Sequence, residues 1–489
     1  MSLTGPRGNQ EKRHMTRLPI IVDLDGTLSR TDTLVEAMLA LMFRQPTSTP
    51  AMLSALREGP AHLKDYLVTR GFYAVETVPL RQDLVDYLQD QVDQGAELHL
   101  VTASPQTVAD QIAERLPIFK TATGTREGHN LKGDAKRAFI EETFPDGFVY
   151  AGNDKSDIAV WEKSQGIIVA GSESGVTEAA EALEPPVIAT FPDAKVGFRM
   201  WLKALRIHQW SKNVLMFVPL VLAHLYGDVS LVAQVLVGFV CMGMVASATY
   251  LFNDLSDLDA DRRHRTKHKR ALASGLIQPQ HAVALGAGLV FLGFLGAFVL
   301  DLEFALLMAA YVVLTVSYSL HLKRVPLLDV FVLGLLFTSR ILMGIEILEV
   351  PTSPWLMAFS VFFFFSLSLA KRHVEVIRAV KRGETGQIKG RGYRAEDAPL
   401  TLTYGISSSL AAVTLLFLYI VNDAASQQYY GNPEWLAAIT GMVFLWTCRI
   451  WLKSHHGSLD DDPVVFAIKD RLSWAMGGGV LLFLVLALA

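Results

Sequence analysis

The sequence predicts an α/β domain with a parallel sheet and a small helical cap, followed by an all-α polytopic membrane domain with nine transmembrane helices. Three observations carry this. Charge is uneven: residues 1–195 hold 19 Lys/Arg against 28 Asp/Glu, and residues 196–489 hold 25 against 20. Short apolar runs alternate with helical stretches in the front part, and long apolar segments recur in the rear. The 489 residues are 51% apolar and only 19% charged, with a mean hydropathy of +0.31, high for a soluble protein. That balance excludes disorder, collagen-like repeats and a nucleic-acid binder driven by global charge. Two cysteines, Cys241 and Cys448, sit in apolar runs and allow neither a disulfide framework nor a zinc cluster.

Taken in order, residues 1–17 form a polar tail without the apolar core of a signal peptide, so the domain that follows is expected in the cytoplasm. Residues 18–195 make the α/β domain. Its buried parallel strands are read at 18–24, 97–103, 147–151 and 166–170, with helices at 80–94 and 104–116. Residues 33–73 are helical in character without a strand, as a cap would be. Pro185, Pro186 and Pro192 mark the start of a linker, and 196–212 is a linker and membrane-surface segment. The membrane domain runs from 213 to 489, with apolar segments at 213–228, 230–252, 279–300, 302–320, 327–347, 354–370, 399–421, 433–452 and 474–489. Connections after the even-numbered segments are basic: Arg262 to Arg270, Lys323 with Arg324, Lys371 to Arg394, and Lys469 with Arg471. Those after odd-numbered segments, near Gly227, Asp301, Glu349 and Asn422, hold no Lys or Arg. The positive-inside rule then puts the basic loops and the front domain in the cytoplasm, the chain in the inner membrane, and the C-terminus on the opposite side.

The first strand ends in Asp23-Leu24-Asp25-Gly26-Thr27, two carboxylates where a parallel strand opens into a loop. That edge is where open α/β folds bind ligands. Acids so close repel unless a cation lies between them or one is protonated; Mg²⁺ suits both, and one carboxylate can then attack phosphorus. Thr102 ends the second strand, Lys136 follows in Gly-Asp-Ala-Lys, and a later strand ends in Gly152-Asn153-Asp154-Lys155-Ser156-Asp157. Hydroxyl, lysine and further acids at successive strand ends make a phosphoryl-transfer site. Over residues 18–190 the chain resembles the haloacid dehalogenase (HAD) superfamily, in its phosphoserine-phosphatase-like branch. The resemblance implies Asp23 as nucleophile, Asp25 as general acid/base, Thr102 as phosphate-binding hydroxyl and Lys136 as the charge-neutralising lysine. It implies a Mg²⁺ site from Asp23, Asp25 (through its carbonyl), Asp157 and Asp154, which stands one place beyond the usual Gly-Asp because Asn153 occupies it.

The second apolar segment ends in Asn253-Asp254-Leu255-Ser256-Asp257-Leu258-Asp259-Ala260-Asp261. Asp254, Asp257 and Asp261 fall on one helix face and would repel without a divalent cation. Lys267 and Arg270 follow, so acids for Mg²⁺ stand beside cations for diphosphate. This motif, with nine helices and polar cytoplasmic loops, resembles the UbiA superfamily of intramembrane prenyltransferases from about Ala204 onward. The resemblance implies that Asn253 and the three aspartates hold Mg²⁺ and diphosphate, and that Tyr318, Lys323 and Asp329 line the same cavity. The second polar loop departs from the usual aspartate-rich pattern: Lys371, Arg372 and Glu375 stand there, with Tyr393 further on. Cations suit a bare phosphate. Together with Gln209-Trp210-Ser211-Lys212-Asn213, this is similar to the branch containing decaprenyl-phosphate phosphoribosyltransferase.

That branch implies a phosphoribosyl pyrophosphate (PRPP) donor, a polyprenyl phosphate acceptor and Mg²⁺ at both sites. The fused HAD site would then remove the 5-phosphate of the product. An aromatic prenyltransferase using a prenyl diphosphate donor, with a HAD domain that is regulatory or acts on another phosphate, stays open as an alternative. So do prenyl chain length and homo-oligomerisation. No nucleic-acid partner is expected.

Overall fold

A computed structural model describes residues 18–126, 130–171, 175–383, 385–388, 392–425, 430–459, 466 and 470–489. The polar tail 1–17 and Lys469 lie outside the described residues. The chain divides into two compact units, Met1–Leu205 with Tyr250–Gly286, and Arg206–Thr249 with Ala287–Ala489. This differs from the linear division at 195–213, because the segment that follows the second apolar stretch belongs with the α/β domain.

The first unit is built on a six-stranded parallel sheet in the order β3-β2-β1-β4-β5-β6. The strands are β1 (Ile20–Val22), β2 (Leu98–Pro105), β3 (Thr121–Thr125), β4 (Val149–Gly152), β5 (Gly166–Ala170) and β6 (Val187–Phe191). The four expected strands are β1, β2, β4 and β5. All of β1 is buried because β2 and β4 flank it in register, Ile20 opposite both Leu98 and Val149. The two edge strands carry weaker patterns. β3 reads Thr-Ala-Thr-Gly-Thr, and β6 lies between Pro186 and Pro192 where the prolines suggested a linker. An edge strand tolerates both, since only one side of it pairs.

Apolar side chains fill both sheet faces: Leu24, Leu100 and Ile168 belong to one cluster, and Ile21, Tyr150 and Trp161 to another. Residues 33–73 form three helices, Thr33–Arg44, Thr49–Glu58 and Pro60–Thr69, around Leu41, Met52 and Leu63. Asp32 caps the first, its Oδ1 accepting from the Leu34 and Val35 amides at 2.8 and 3.1 Å. The segment after Tyr250 packs within the same unit, Leu251, Leu255, Leu272 and Ile277 meeting Leu39, Phe43 and Trp201.

Among the described residues, eight helices are long and apolar enough to cross a membrane: Val229–Ser256, Pro279–Leu300, Leu302–Leu320, Leu328–Leu348, Pro354–Lys381, Ala395–Ala424, Pro433–His455 and Arg471–Leu488. They match eight of the nine expected segments. The ninth, 213–228, is instead a succession of short turns: Ile207–Phe217, Val218–Leu222 and Leu225–Gly227. Pro219 opens the second, where its missing amide is tolerated, and His224 (φ 56°) is left-handed, which ends regular helix. The helix expected at 354–370 runs on to Lys381 because Arg372, His373, Val376 and Ala379 continue its buried face. Lys371, Arg372 and Glu375 therefore stand on a helix and not in a loop.

Candidate active sites

β1 delivers Asp23 and Asp25 to the carboxyl edge of the sheet, at the point where the strand order reverses. A cavity of about 740 Å³ opens there, lined by Asp23, Asp25, Lys64, Ser104, Lys136 and Asn153 among others. Lys136 comes from the helix Asp134–Thr143, and its Nζ lies 2.7 Å from Asp23 Oδ1. The lysine also donates to Tyr150 Oη at 3.2 Å, and the Tyr150 hydroxyl donates to Asp157 Oδ1 at 2.9 Å. Asp25 accepts from the Thr33 amide at 2.8 Å and the Ser104 hydroxyl at 2.6 Å. Gly26 holds φ at 79°, and a Cβ there would come within 2.2 Å of Asn153 Nδ2, so the loop closes only with glycine.

Burial pushes Asp23 up to about 6, against the pull of Lys136. Asp25 is also raised to about 6, by burial and then by the neighbouring charge of Asp32. Burial works against the Lys136 ammonium, but Asp23 and Asp157 outweigh it and hold it above its ordinary value. A carboxyl poised near 6 suits proton exchange at neutral pH.

Other expected residues take different places. Thr102 is fully buried, its Oγ1 accepting from the Ser104 amide at 3.0 Å, and Ser104 lines the cavity in its stead. Asp157 is saturated: besides Tyr150, it accepts from the amides of Asn153 and Asp154 at 2.9 and 3.0 Å. That makes it a clamp on the loop and leaves little of it for a metal. Asp154 caps the turn Lys155–Asp157 and lines the cavity. Sequence spacing gave no sign of Arg81. It is fully buried and donates to the Thr27 and Gly26 carbonyls at 3.1 and 3.2 Å while pairing with Asp193 at 2.6 Å, so it braces the loop after β1 from beneath. For Mg²⁺, the oxygen-bearing groups at this edge are Asp23, Asp25 and Asn153, whose Oδ1 accepts from the Thr27 hydroxyl at 3.0 Å, a set of the kind a hard cation takes together with several waters. Among the described residues, no three His, Cys, Asp or Glu side chains converge as a ready metal cluster.

In the same unit, the aspartates after Asn253 are already neutralised by cations. Arg270 Nη1 lies 3.1 Å from Asp254 Oδ1 and 2.6 Å from Asp261 Oδ2, and Lys267 Nζ is 3.3 Å from Asp261 Oδ1. Asn253 donates to Asp257 Oδ2 at 3.2 Å. Asp257 itself marks the break between Val229–Ser256 and Leu258–Arg263, so the expected single face is bent at its middle. The repulsion that implied a divalent cation is relieved here by Arg270. Carboxylates such as Asp254 and Asp257 are the oxygen donors that suit Mg²⁺ where a ligand draws Arg270 away.

The second unit holds its own ionic network. Arg372 and Asp329 are both buried, with Arg372 Nε 3.0 Å from Asp329 Oδ2. The two atoms are close without the alignment of a hydrogen bond, so charge alone holds that contact. Arg372 also pairs with Glu375. Tyr393 donates to Asp329 Oδ1 at 2.7 Å and accepts from the Leu327 amide at 2.8 Å, and burial raises its phenol above the ordinary value. Asn213 is buried and accepts from Arg340 Nε at 2.9 Å; Arg340 also donates to Tyr311 Oη at 3.0 Å. Tyr318 ends the helix Leu302–Leu320, Lys323 lies in the turn Leu322–Arg324, and Lys371 sits half-buried beside Arg372.

A parallel-sheet domain with an acid-lysine cavity, joined to apolar helices of spanning length with acid-cation clusters at their ends, defines a multi-pass membrane protein with transferase features. Residues 213–470 match the UbiA prenyltransferase family, and the chain belongs to that family. It is 41% identical over 466 residues to the uncharacterized protein y4nM of Sinorhizobium fredii, covering 94% of this chain and 89% of that one. It is 32% identical to the nodulation protein NoeC of Azorhizobium caulinodans, covering 57% of this chain and 90% of that one. Decaprenyl-phosphate phosphoribosyltransferase of Mycolicibacterium smegmatis is 31% identical over 55% of this chain and 86% of its own. The likeness to y4nM spans both halves of the chain, whereas the other two cover little more than half of it.

Proposed function

We propose that the chain is a fused, two-step enzyme of the inner membrane. Its UbiA half transfers 5-phosphoribose from PRPP to a polyprenyl phosphate, and its front half, a HAD-type phosphatase, removes the remaining 5-phosphate. The polar loops and the front domain face the cytoplasm on this reading. The observation that carries it is the Lys136–Asp23 pair beside Asp25 on one cavity wall, in a chain similar to enzymes that handle phosphoribosyl groups.

In the transfer step, a phosphate oxygen of the lipid attacks ribose C1, and the C1–O bond to diphosphate breaks. Asp254, Asp257 and Asp261 would hold Mg²⁺, which supplies charge neutralisation for the diphosphate. Arg270 and Lys267, released from the aspartates, meet its oxygens by charge-assisted hydrogen bonds. In the hydrolytic step, Asp23 attacks phosphorus and Asp25 gives its proton to the leaving sugar oxygen. Asp25 then takes a proton from the water that opens the aspartyl-phosphate, releasing inorganic phosphate. Lys136 balances the charge on Asp23 and the phosphoryl oxygens, and Asp23, the Asp25 carbonyl and Asn153 would hold Mg²⁺ there. Fusion raises the local concentration of the intermediate at the second site.

The test is detergent-solubilised protein with Mg²⁺, PRPP and a polyprenyl phosphate, with lipid products weighed by mass spectrometry. Wild type should give the dephosphorylated ribosyl lipid, Asp23→Asn its 5-phosphate, and Asp254→Asn neither. Prenylation of an aromatic acid with no ribosyl lipid would overturn the reading.

A further inference from the structure

The cavity above Asp23 is not walled by the α/β domain alone. Leu276, Gln278, Gln280 and His281 also line it. The last two belong to the first turn of Pro279–Leu300, a helix of membrane-spanning length. Ionic and polar contacts fasten this segment to the domain. Arg262 makes a bidentate pair with Glu36 of the cap at 2.6 and 2.8 Å, with both side chains almost wholly buried. Thr77 donates to Asp259 Oδ1 at 2.7 Å, and Gln278 Nε2 donates to the Arg30 carbonyl at 2.6 Å. Gly275 (φ +72°) sits against Arg30 and Pro79 so closely that an added Cβ would lie 2.9 Å from each. A bidentate Arg–carboxylate pair with little water around it fixes orientation as well as position, so this wall is a built part of the cavity.

We infer that the start of this helix is the membrane-side wall of the phosphatase cavity, and that Gln280 and His281 read the sugar of a lipid-linked phosphomonoester. The inference rests on the phosphatase reading above and adds the route by which the lipid reaches the cavity and two specificity residues. A helix rises 5.4 Å per turn, so a cavity lined by the first turn of a spanning helix opens at the depth where that helix enters the lipid. A phosphate ester anchored by a polyprenyl tail reaches such a mouth without leaving the membrane. The chemistry along the walls divides accordingly. Lys64, Lys132 and Lys136 supply positive charge for the phosphate, whereas Gln280 and His281, both exposed, offer an amide and an imidazole. Neutral donors and acceptors of this kind match hydroxyl groups.

The experiment uses the full-length chain in lipid nanodiscs with two substrates, polyprenyl-phosphoryl 5-phosphoribose and soluble p-nitrophenyl phosphate. The double variant Gln280→Ala/His281→Ala should lose about tenfold in kcat/KM on the lipid, as two lost hydrogen bonds imply, and stay within about twofold on the soluble ester. A second readout needs no turnover: in an Asp23→Asn background, the same two substitutions should weaken retention of the phosphorylated lipid by a similar factor. Both side chains are exposed, so folding is not at stake. Unchanged lipid hydrolysis and retention overturn the inference, and so does an equal loss on both substrates. If wild type hydrolyses neither ester and Asp23→Asn matches it, the phosphatase reading fails first and takes this inference with it.

Discussion

Asp23 with Lys136, and Asp329 with Arg372, are both buried acid-base pairs, yet they behave as opposites. The first faces a cavity: Asp23 lines it, and burial has raised its carboxyl to about 6. The second is buried throughout: Glu375 pairs with Arg372, the Tyr393 hydroxyl donates to Asp329 Oδ1, and the Leu327 amide holds that hydroxyl in place. An ionic pair with one side open is a reactive device, because a ligand can compete for the cation and the acid can move a proton or attack. A pair closed on every side holds helices and loop in one arrangement. Arg372, read from the sequence as a phosphate-binding cation, is paired here with Asp329 and Glu375.

Breaking each pair separates the two roles. The largest effect is expected at the open one. Asp23→Asn keeps the shape and removes the carboxylate proposed as nucleophile, and phosphate release should fall by at least about a thousandfold, measured with wild type in parallel. Its thermal unfolding midpoint should move little, since burial already disfavours the charged carboxyl and Asp157 remains as a counter-charge for Lys136. At the closed pair the order reverses. Asp329→Ala leaves the buried Arg372 guanidinium with Glu375 alone and takes the acceptor from the Tyr393 hydroxyl, which costs up to about 3–5 kcal/mol, read as a lower unfolding midpoint in detergent. The double variant Asp329→Leu/Arg372→Met should recover most of that loss, because neither charge is then left alone. If the double variant is as unstable as the single one, the network is more than a brace.

The sequence made the two-part architecture legible because its signals are periodic and long. Eight helices fall where length and apolarity put them, and the four central strands follow from uninterrupted apolar runs. β3 and β6 escaped, since an edge strand needs only half a buried face and β6 reads as a proline-bounded linker. The 213–228 stretch misled for the converse reason: it is apolar enough to span, but hydropathy does not register Pro219 or the left-handed turn at His224. At the cavity, motif order revealed Asp23 and Asp25 at the end of β1 and Lys136 in the first turn of the helix Asp134–Thr143. Arg81 stayed hidden, as nothing in the spacing between residues 26 and 81 announces that a guanidinium will close under the loop. Burial of Thr102 was equally unreadable, because strand alternation does not say which of Thr102 and Ser104 meets the cavity.

The Asp254–Asp261 cluster lies between the two extremes and gives the smallest expected effect. Its acids are buried, but the Arg270 side chain that joins them is 36% exposed. Solvent screens such a pair, so Arg270→Gln should cost about 1 kcal/mol or less in stability. What it changes is the balance between cation and acids. In wild type the guanidinium neutralises Asp254 and Asp261, and a divalent ion must compete with it. Without Arg270 the two carboxylates repel, and an ion that bridges them binds the folded state more tightly. Binding to the folded state raises stability in proportion to the logarithm of occupancy. The rise in unfolding midpoint on adding Mg²⁺ should therefore be larger in Arg270→Gln than in wild type. Any contribution from the Asp23 site is common to both proteins and cancels in the difference. An equal rise in the two would mean that these aspartates do not hold the metal, and that Arg270 belongs to the resting structure as firmly as Arg372 does.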